Sequence, residues 1–206
     1  SSSTTTTTTS AAAAVQAVLS FLGKGQLTTG VRYLPEGGTS GGGAFGFIKQ
    51  GTDYGVISSG GGGGGAAAAA PPGRWYHVAY VAAPVGNVAA DGTAATRGLL
   101  YVDGKVVAQS PADVVPPPLD EKLYVGGHPT AIAAGSGFRG VVDEVRVYAS
   151  ALTSAQVNEQ IWSSDSASAV SLALDSKTKT AKALKVYLRF NNLTGTVVPD
   201  HAYDGS

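Results

Sequence analysis

The sequence predicts an all-β protein whose antiparallel strands form a sandwich or a barrel, followed by one short helix. Three observations indicate this class. Many short β-type segments alternate with glycine-rich turns, one pair of segments is joined by an Asp-Gly turn, and a capping box precedes the helical segment. The 206 residues suit one domain of ordinary size plus tails.

The strands are predicted from apolar and β-branched runs that end at Gly, Asp or Pro. They are expected around 18–22, 45–49, 54–58, 75–81, 99–102, 105–109, 122–127, 140–148 and 186–190, with a weaker candidate at 170–174. The clearest hairpin joins 99–102 to 105–109 through Asp103 and Gly104. This dipeptide favours a type I′ turn, because both central residues of that turn need positive φ.

The helix is predicted to begin after Thr153. Thr153 is a good N-cap, and Gln156 three residues later completes a capping box. Val157 and Ile161 then give an apolar stripe, and we expect the helix to pack at one edge of the sandwich.

Composition excludes several functional classes. The chain has 14 basic and 14 acidic residues, so it lacks the positive charge expected of a nucleic-acid-binding protein. It has no cysteine, and therefore neither disulfides nor thiolate metal sites. No apolar run is long enough for a membrane helix, so we expect no membrane insertion. Because methionine is absent, we expect a processed product or a fragment of a longer protein.

Low-complexity stretches divide the chain. Residues 1–14 form a Ser/Thr/Ala tail, and the glycine-rich stretches at about 37–43 and 58–73 are predicted to be surface loops. A polar linker is expected at 163–183.

Four motifs in a fixed order resemble one family. GRWYHVAYV, LLYVDGKVVAQS, LYVGG and GFRGVVDEVRVYASALTSAQV are similar to the laminin-G-like, concanavalin A-like (pentraxin-type) jelly-roll domains. The resemblance covers residues 15–162 and implies an antiparallel two-sheet jelly-roll sandwich. YLRFNNLTGTVVPDHAYDG near the C-terminus resembles the opening of such a domain. Residues 184–206 are therefore expected either to begin a second repeat or to supply the missing strand of the first domain.

Glycosidases share this architecture, but the acids here do not fit their pattern. Retaining hydrolysis needs two carboxyl groups about 5 Å apart that flank one bond. Asp143 and Glu144 are adjacent in sequence, and a regular strand directs them to opposite faces. We therefore predict no catalytic residues and no enzyme activity.

A structural calcium ion is the one cofactor that the resemblance suggests. The corresponding carboxylates are Asp143, Asp200 and Asp204, since Ca²⁺ binds oxygen ligands. Structural use of Asp143 is the competing interpretation. Asn192 opens an Asn-Leu-Thr sequon, which makes it a candidate for N-glycosylation.

The remaining selected residues are predicted to belong to the scaffold. In a regular 140–148 strand, Asp143 shares the apolar face of Val145 and therefore needs a backbone N–H, a cation or a β-bulge. Glu144 and Arg146 share the opposite face and can pair. The same scaffold role is expected for Trp75, His77, Asp103 and Gly104.

The expected function is a non-catalytic extracellular or cell-surface adhesion module that mediates protein–protein assembly. Its partners would be other chains or repeats of the same assembly. A carbohydrate-binding module is the alternative, with glycans as ligands, and a glycosidase is the third hypothesis. Tyrosines on the sheet faces are candidates for glycan contact, although tyrosine on a sandwich face commonly serves packing.

Overall fold

The computed structural model describes residues 16–23, 26–35, 43–49, 52–54, 70–88, 94–112, 122–127, 137–162 and 184–190. Within these ranges the chain forms ten strands and one helix. In chain order they are β1 (Gln16–Gly23), β2 (Gln26–Leu34), β3 (Ala44–Lys49), β4 (Thr52–Tyr54), β5 (Val78–Val88), β6 (Ala94–Val102), β7 (Lys105–Ala112), β8 (Lys122–Val125), β9 (Val145–Tyr148), α1 (Ser154–Trp162) and β10 (Leu184–Leu188). Among the described residues, no helix is long and apolar enough to cross a membrane.

The strands form antiparallel sheets. Two sheets form the sandwich. The larger has five strands in the order β4-β3-β2-β1-β8, and the smaller has three strands in the order β5-β6-β7. A two-stranded sheet pairs β9 with β10. Most neighbouring strands are consecutive in the chain. The β1–β8 pair joins strands distant in sequence, with Leu19 opposite Val125.

The core lies between the two larger sheets. Strand pleating sends alternate side chains inward, so Phe45 and Phe47 of β3 meet Leu100 and Val102 of β6 in one buried cluster. Phe47 and Leu100 are fully buried. The predicted antiparallel sandwich is therefore confirmed.

The helix covers the outer face of the smaller sheet. Val157 of α1 is fully buried and clusters with Val81 of β5 and Tyr101 of β6. The Tyr101 hydroxyl also lies 3.1 Å from Ser154 Oγ. The helix was expected at an edge of the sandwich; it packs on a sheet face instead, because the Val157 stripe meets the outward residues of β5 and β6.

The predicted capping box forms at the start of this helix. Thr153 N–H donates to Gln156 Oε1 at 2.9 Å, and Gln156 N–H donates to Thr153 Oγ1 at 3.3 Å. These two bonds satisfy backbone donors that a helix N-terminus would otherwise leave unpaired.

The Asp-Gly hairpin turn also forms as predicted, with φ of 47° at Asp103 and 76° at Gly104. Glycine is required at this turn for a second, steric reason. A Cβ atom on Gly104 would collide with the Asn158 side chain of α1, so the turn packs directly beneath the helix.

Strand β2 is an element that the sequence interpretation missed. Gly30 interrupts its pattern, and glycine weakens the β signal in a strand interior. In the structure a Cβ atom on Gly30 would collide with the backbone carbonyl of Leu19. The residue that obscures the strand is therefore the one that allows β1 and β2 to approach closely.

The C-terminal strand pairs within the described domain. β10 runs antiparallel to β9, with Val186 opposite Val147 and Leu188 opposite Val145. Both alternatives for residues 184–206, a second repeat or a complementing strand, stay predictions. Residues 191–206 and the weak strand candidate at 170–174 lie outside the described residues.

Candidate functional site

An irregular segment, residues 137–144, leads into β9 and positions its two acids. Gly137 forms a bridge with Ala17 of β1. Phe138 N–H donates to the Gly126 carbonyl at 2.9 Å, and Arg139 N–H donates to Gln16 Oε1 at 3.0 Å. These bonds fix the segment against the edge of the larger sheet without making it a strand.

The predicted position of Asp143 on an apolar strand face is wrong. β9 begins only at Val145, and Glu144 has a left-handed φ of 54°, which breaks the alternation on which that prediction depended. Val141 is 73% exposed and Asp143 is also exposed. Asp143 Oδ1 accepts a hydrogen bond from the Glu144 N–H at 2.8 Å, a local turn contact at the surface.

Glu144 is the centre of a polar cluster that joins β9 to β10. Its Oε2 accepts hydrogen bonds from Arg146 Nη2 at 2.6 Å and from the Tyr187 hydroxyl at 2.5 Å. Its Oε1 lies 3.7 Å from Arg189 Nε. Arg146 Nη2 also donates to the Tyr187 hydroxyl oxygen at 3.1 Å. We call Glu144, Arg146, Tyr187 and Arg189 the Glu144 cluster.

The cluster is partly shielded from water. The Arg146 side chain is only 8% exposed and that of Glu144 is 29% exposed. The guanidinium of Arg146 lies 4.7 Å from the Tyr187 ring centroid, within cation–π range. Burial raises the pKa of Tyr187 above its ordinary value, and its hydrogen bond to Glu144 adds to this rise. The Tyr187 hydroxyl therefore acts as a neutral donor at neutral pH.

A second polar group surrounds the hairpin turn. Asp103 Oδ1 accepts the His77 N–H at 2.9 Å, and Asp103 N–H donates to the His77 carbonyl at 2.8 Å. Asp103 Oδ2 also pairs with Arg74 Nη2 at 3.1 Å. Asp103 thus ties the turn to the chain that enters β5, which is a structural role.

The His77 side chain is half-buried and interacts electrostatically with Arg146 and Asp103. Its Nδ1 has no hydrogen-bond partner among the residues that the structure describes. Burial lowers its pKa below 6.5; the positive charge of Arg146 lowers it further, and Asp103 opposes these two effects. His77 is therefore neutral at pH 7.

Trp75 does not take the scaffold position predicted for it. Its relative exposure is 65%, because β5 begins only at Val78 and Trp75 lies before the strand, outside its alternation of inward and outward side chains. Beside it, Arg74 lies 4.2 Å above the ring of Tyr76, whose hydroxyl donates to the Pro71 carbonyl at 2.7 Å. Arg74 and Trp75 are exposed here, whereas Tyr76 is half-buried and packs against the core.

The calcium and glycosylation predictions fall largely outside the described residues. Asp200, Asp204 and Asn192 are in that part of the chain. Asp143 offers a carboxylate whose Oδ1 already accepts a backbone hydrogen bond. Within the described ranges, no three His, Cys, Asp or Glu residues are grouped as metal ligands require.

The predicted partner of Glu144 is Arg146, and the structure adds Tyr187 and Arg189. More than 40 residues separate them from Glu144, so no local spacing signals the contact. The apolar alternation of β10 was visible, but its pairing partner was not.

Comparison with known proteins identifies the family. The Laminin_G_3 family model, described as the concanavalin A-like lectin/glucanases superfamily, matches residues 4–158. β10 lies beyond the matched range. A search of curated proteins finds no match, and neither does a search of solved structures. The match spans most of the chain and agrees with the antiparallel sandwich, and we conclude that the chain belongs to the concanavalin A-like lectin/glucanase superfamily, in its laminin-G-type family.

Proposed function

We propose that this chain is a non-catalytic extracellular or cell-surface module that assembles protein chains through its sheet edges. The observation that carries the proposal is the docking of β10. A segment beyond the family-matched residues adds a strand to β9 and is held there by the Glu144 cluster. Strand addition at a sheet edge is a general mode of protein recognition, in which main-chain bonds give affinity and side-chain contacts give selectivity.

The state of the two acids argues against glycoside hydrolysis. A retaining glycosidase presents two carboxyl groups to one bond of its substrate. Here Glu144 Oε2 already accepts two hydrogen bonds, from Arg146 and Tyr187. Asp143 is exposed and bonds to the backbone of its neighbour. This arrangement holds the segment in place and offers no pair of free carboxyl groups.

The family supports extracellular placement, since laminin-G-type domains are commonly extracellular. The sequon at Asn192 is consistent with that placement. We therefore propose that Asn192 is N-glycosylated, and mass spectrometry of the protein from its native source tests this.

A carbohydrate-binding module is the second candidate, and Trp75 favours it. An indole that is 65% exposed can stack on the apolar face of a sugar ring. Arg74, its neighbour in sequence, lies over the Tyr76 ring and offers a cation for hydroxyl or acidic groups. If this surface binds glycan, Trp75→Ala should abolish the binding and Val106→Ala, also at an exposed apolar residue, should not.

Sedimentation velocity of the full chain over a wide concentration range tests the assembly proposal. We expect concentration-dependent association, no hydrolysis of a polysaccharide panel and no hit on a glycan array. A chain that stays monomeric at all concentrations and binds a glycan would overturn the assembly proposal in favour of the second candidate. Titration with calcium, followed by calorimetry and by the melting temperature, tests whether the chain binds a structural calcium ion.

A further inference from the structure

The edge of β9 has the chemistry of a selective acceptor for an extended segment. Backbone pairing runs from Tyr148 opposite Leu184 to Val145 opposite Leu188. Without β10, among the described residues, β9 pairs with no other strand, and its backbone N–H and C=O groups would lack these partners.

The side chains divide into an acceptor set and a segment set. The acceptor contributes Glu144 and Arg146, together with Tyr148, against which Leu184 and Tyr187 form a small buried cluster. The segment contributes a buried leucine, a tyrosine that donates to Glu144, and Arg189, which lies beside the same carboxylate. The segment thus brings a hydroxyl and a cation to an acceptor carboxylate, so the two sets are complementary in charge and in hydrogen bonding.

The covalent connection does not restrict β10 to its own chain. Residues 163–183 separate the end of α1 from the start of β10. At about 3.3–3.6 Å per residue, this stretch can span up to roughly 70 Å. A domain of this length has a radius of gyration of about 17 Å. The stretch is therefore long enough to reach the same edge on an adjacent copy.

We propose that the β9 edge is an acceptor for residues 184–190 of a second copy of this chain, so that copies exchange this strand. The inference rests on the proposed assembly function and names its partner. One observation supports the exchange: the segment lies outside the family-matched residues. An identical strand from another copy would also make the contacts that β10 makes here. Exchange of an identical element is a low-cost route to oligomers, since no new interface has to be formed.

The absence of cysteine from the chain permits a direct test. Val147 and Val186 face each other across the β9–β10 pair. Chains carrying Val147→Cys and chains carrying Val186→Cys are mixed, refolded together from denaturant under reducing conditions, and then oxidised. In the matched control, chains carrying Val106→Cys take the place of the chains carrying Val147→Cys. Val106 is an exposed residue of β7 that does not face β10. We expect a disulfide-linked heterodimer from the first mixture, in several-fold excess over the control.

Two acceptor variants test the recognition chemistry. Glu144→Ala added to the Val147→Cys chain should lower the heterodimer yield several-fold. Asp143→Ala in the same background should leave the yield unchanged, because Asp143 makes a local contact with the adjacent backbone.

A chain that carries both Val147→Cys and Val186→Cys distinguishes docking of β10 within its own chain from exchange between chains. If it forms only an intrachain disulfide while the mixture gives no heterodimer above the control, β10 docks only in its own chain and the exchange is overturned. If sedimentation then still shows association of the unmodified chain, the assembly function stands and acts through another surface. If association is absent as well, both proposals fail.

Discussion

Replacement of Glu144 tests whether this residue holds the C-terminal strand and whether its backbone is strained. Glu144→Ala removes the acceptor of two hydrogen bonds and leaves the nearly buried Arg146 guanidinium without its carboxylate. Hydrogen bonds to charged groups contribute about 1.5–3 kcal/mol each when shielded. Because the Glu144 side chain is 29% exposed, we expect the lower part of that range and a total loss of about 2–3 kcal/mol in the free energy of unfolding.

Glu144→Gly separates the side chain from the backbone. Both variants lose the carboxylate, but glycine relieves the left-handed φ of 54°, which costs other residues about 1–2 kcal/mol. Glu144→Gly should therefore be more stable than Glu144→Ala by about 1 kcal/mol. Urea unfolding at pH 7 and fixed protein concentration measures both differences, with Asp143→Ala as a control expected within about 0.5 kcal/mol of the wild type.

Two results would refute this reasoning. If Glu144→Ala unfolds within about 0.5 kcal/mol of the wild type, the cluster does not stabilise the pairing of β10 with β9. If Glu144→Gly is less stable than Glu144→Ala, the left-handed backbone at this residue is not a source of strain.

Three further predictions concern other parts of the sandwich. The pKa of His77 is lower in the folded chain than the ordinary value of 6.5, so the unfolded chain binds more protons at this residue. The free energy of unfolding should therefore fall as pH drops through about 6.5, by at most ~1.4 kcal/mol per pH unit. His77→Gln should flatten that part of a profile of stability against pH. Gly104→Ala should lower the thermal midpoint, because alanine disfavours a φ of 76° by about 1–2 kcal/mol and its Cβ meets Asn158. Val157→Ala should cost about 2 kcal/mol in denaturant unfolding, since two fully buried methyl groups are lost from the helix–sheet contact.

The features predicted correctly from the sequence depend on neighbouring residues. The turn at Asp103 and Gly104 and the cap at Thr153 each require only a few adjacent side chains, so the sequence contains all the information that fixes them. The sandwich class follows for a similar reason, because alternation within each strand already defines an inward face.

The features missed depend on residues distant in the chain or on backbone strain. Tyr187 and Arg189 meet Glu144 only after β10 pairs with β9, and pattern reasoning on one strand cannot supply that register. Regular pleating through Glu144 would put Asp143 on the apolar face, but the left-handed backbone of Glu144 ends the alternation. Trp75 lies three residues before the first residue of β5, so the alternation of that strand does not fix its side chain.

The pairing of β1 with β8 has a consequence for synthesis of the chain. Leu19 and its partner Val125 are 106 positions apart, so a growing chain carries β1 for about 5–20 s before β8 is made. During that interval β1 can form its hairpin with β2, but the edge that will receive β8 stays open. An open strand edge of this kind pairs readily with other chains. Folding yield in the cell should therefore depend on the rate of translation between β2 and β8.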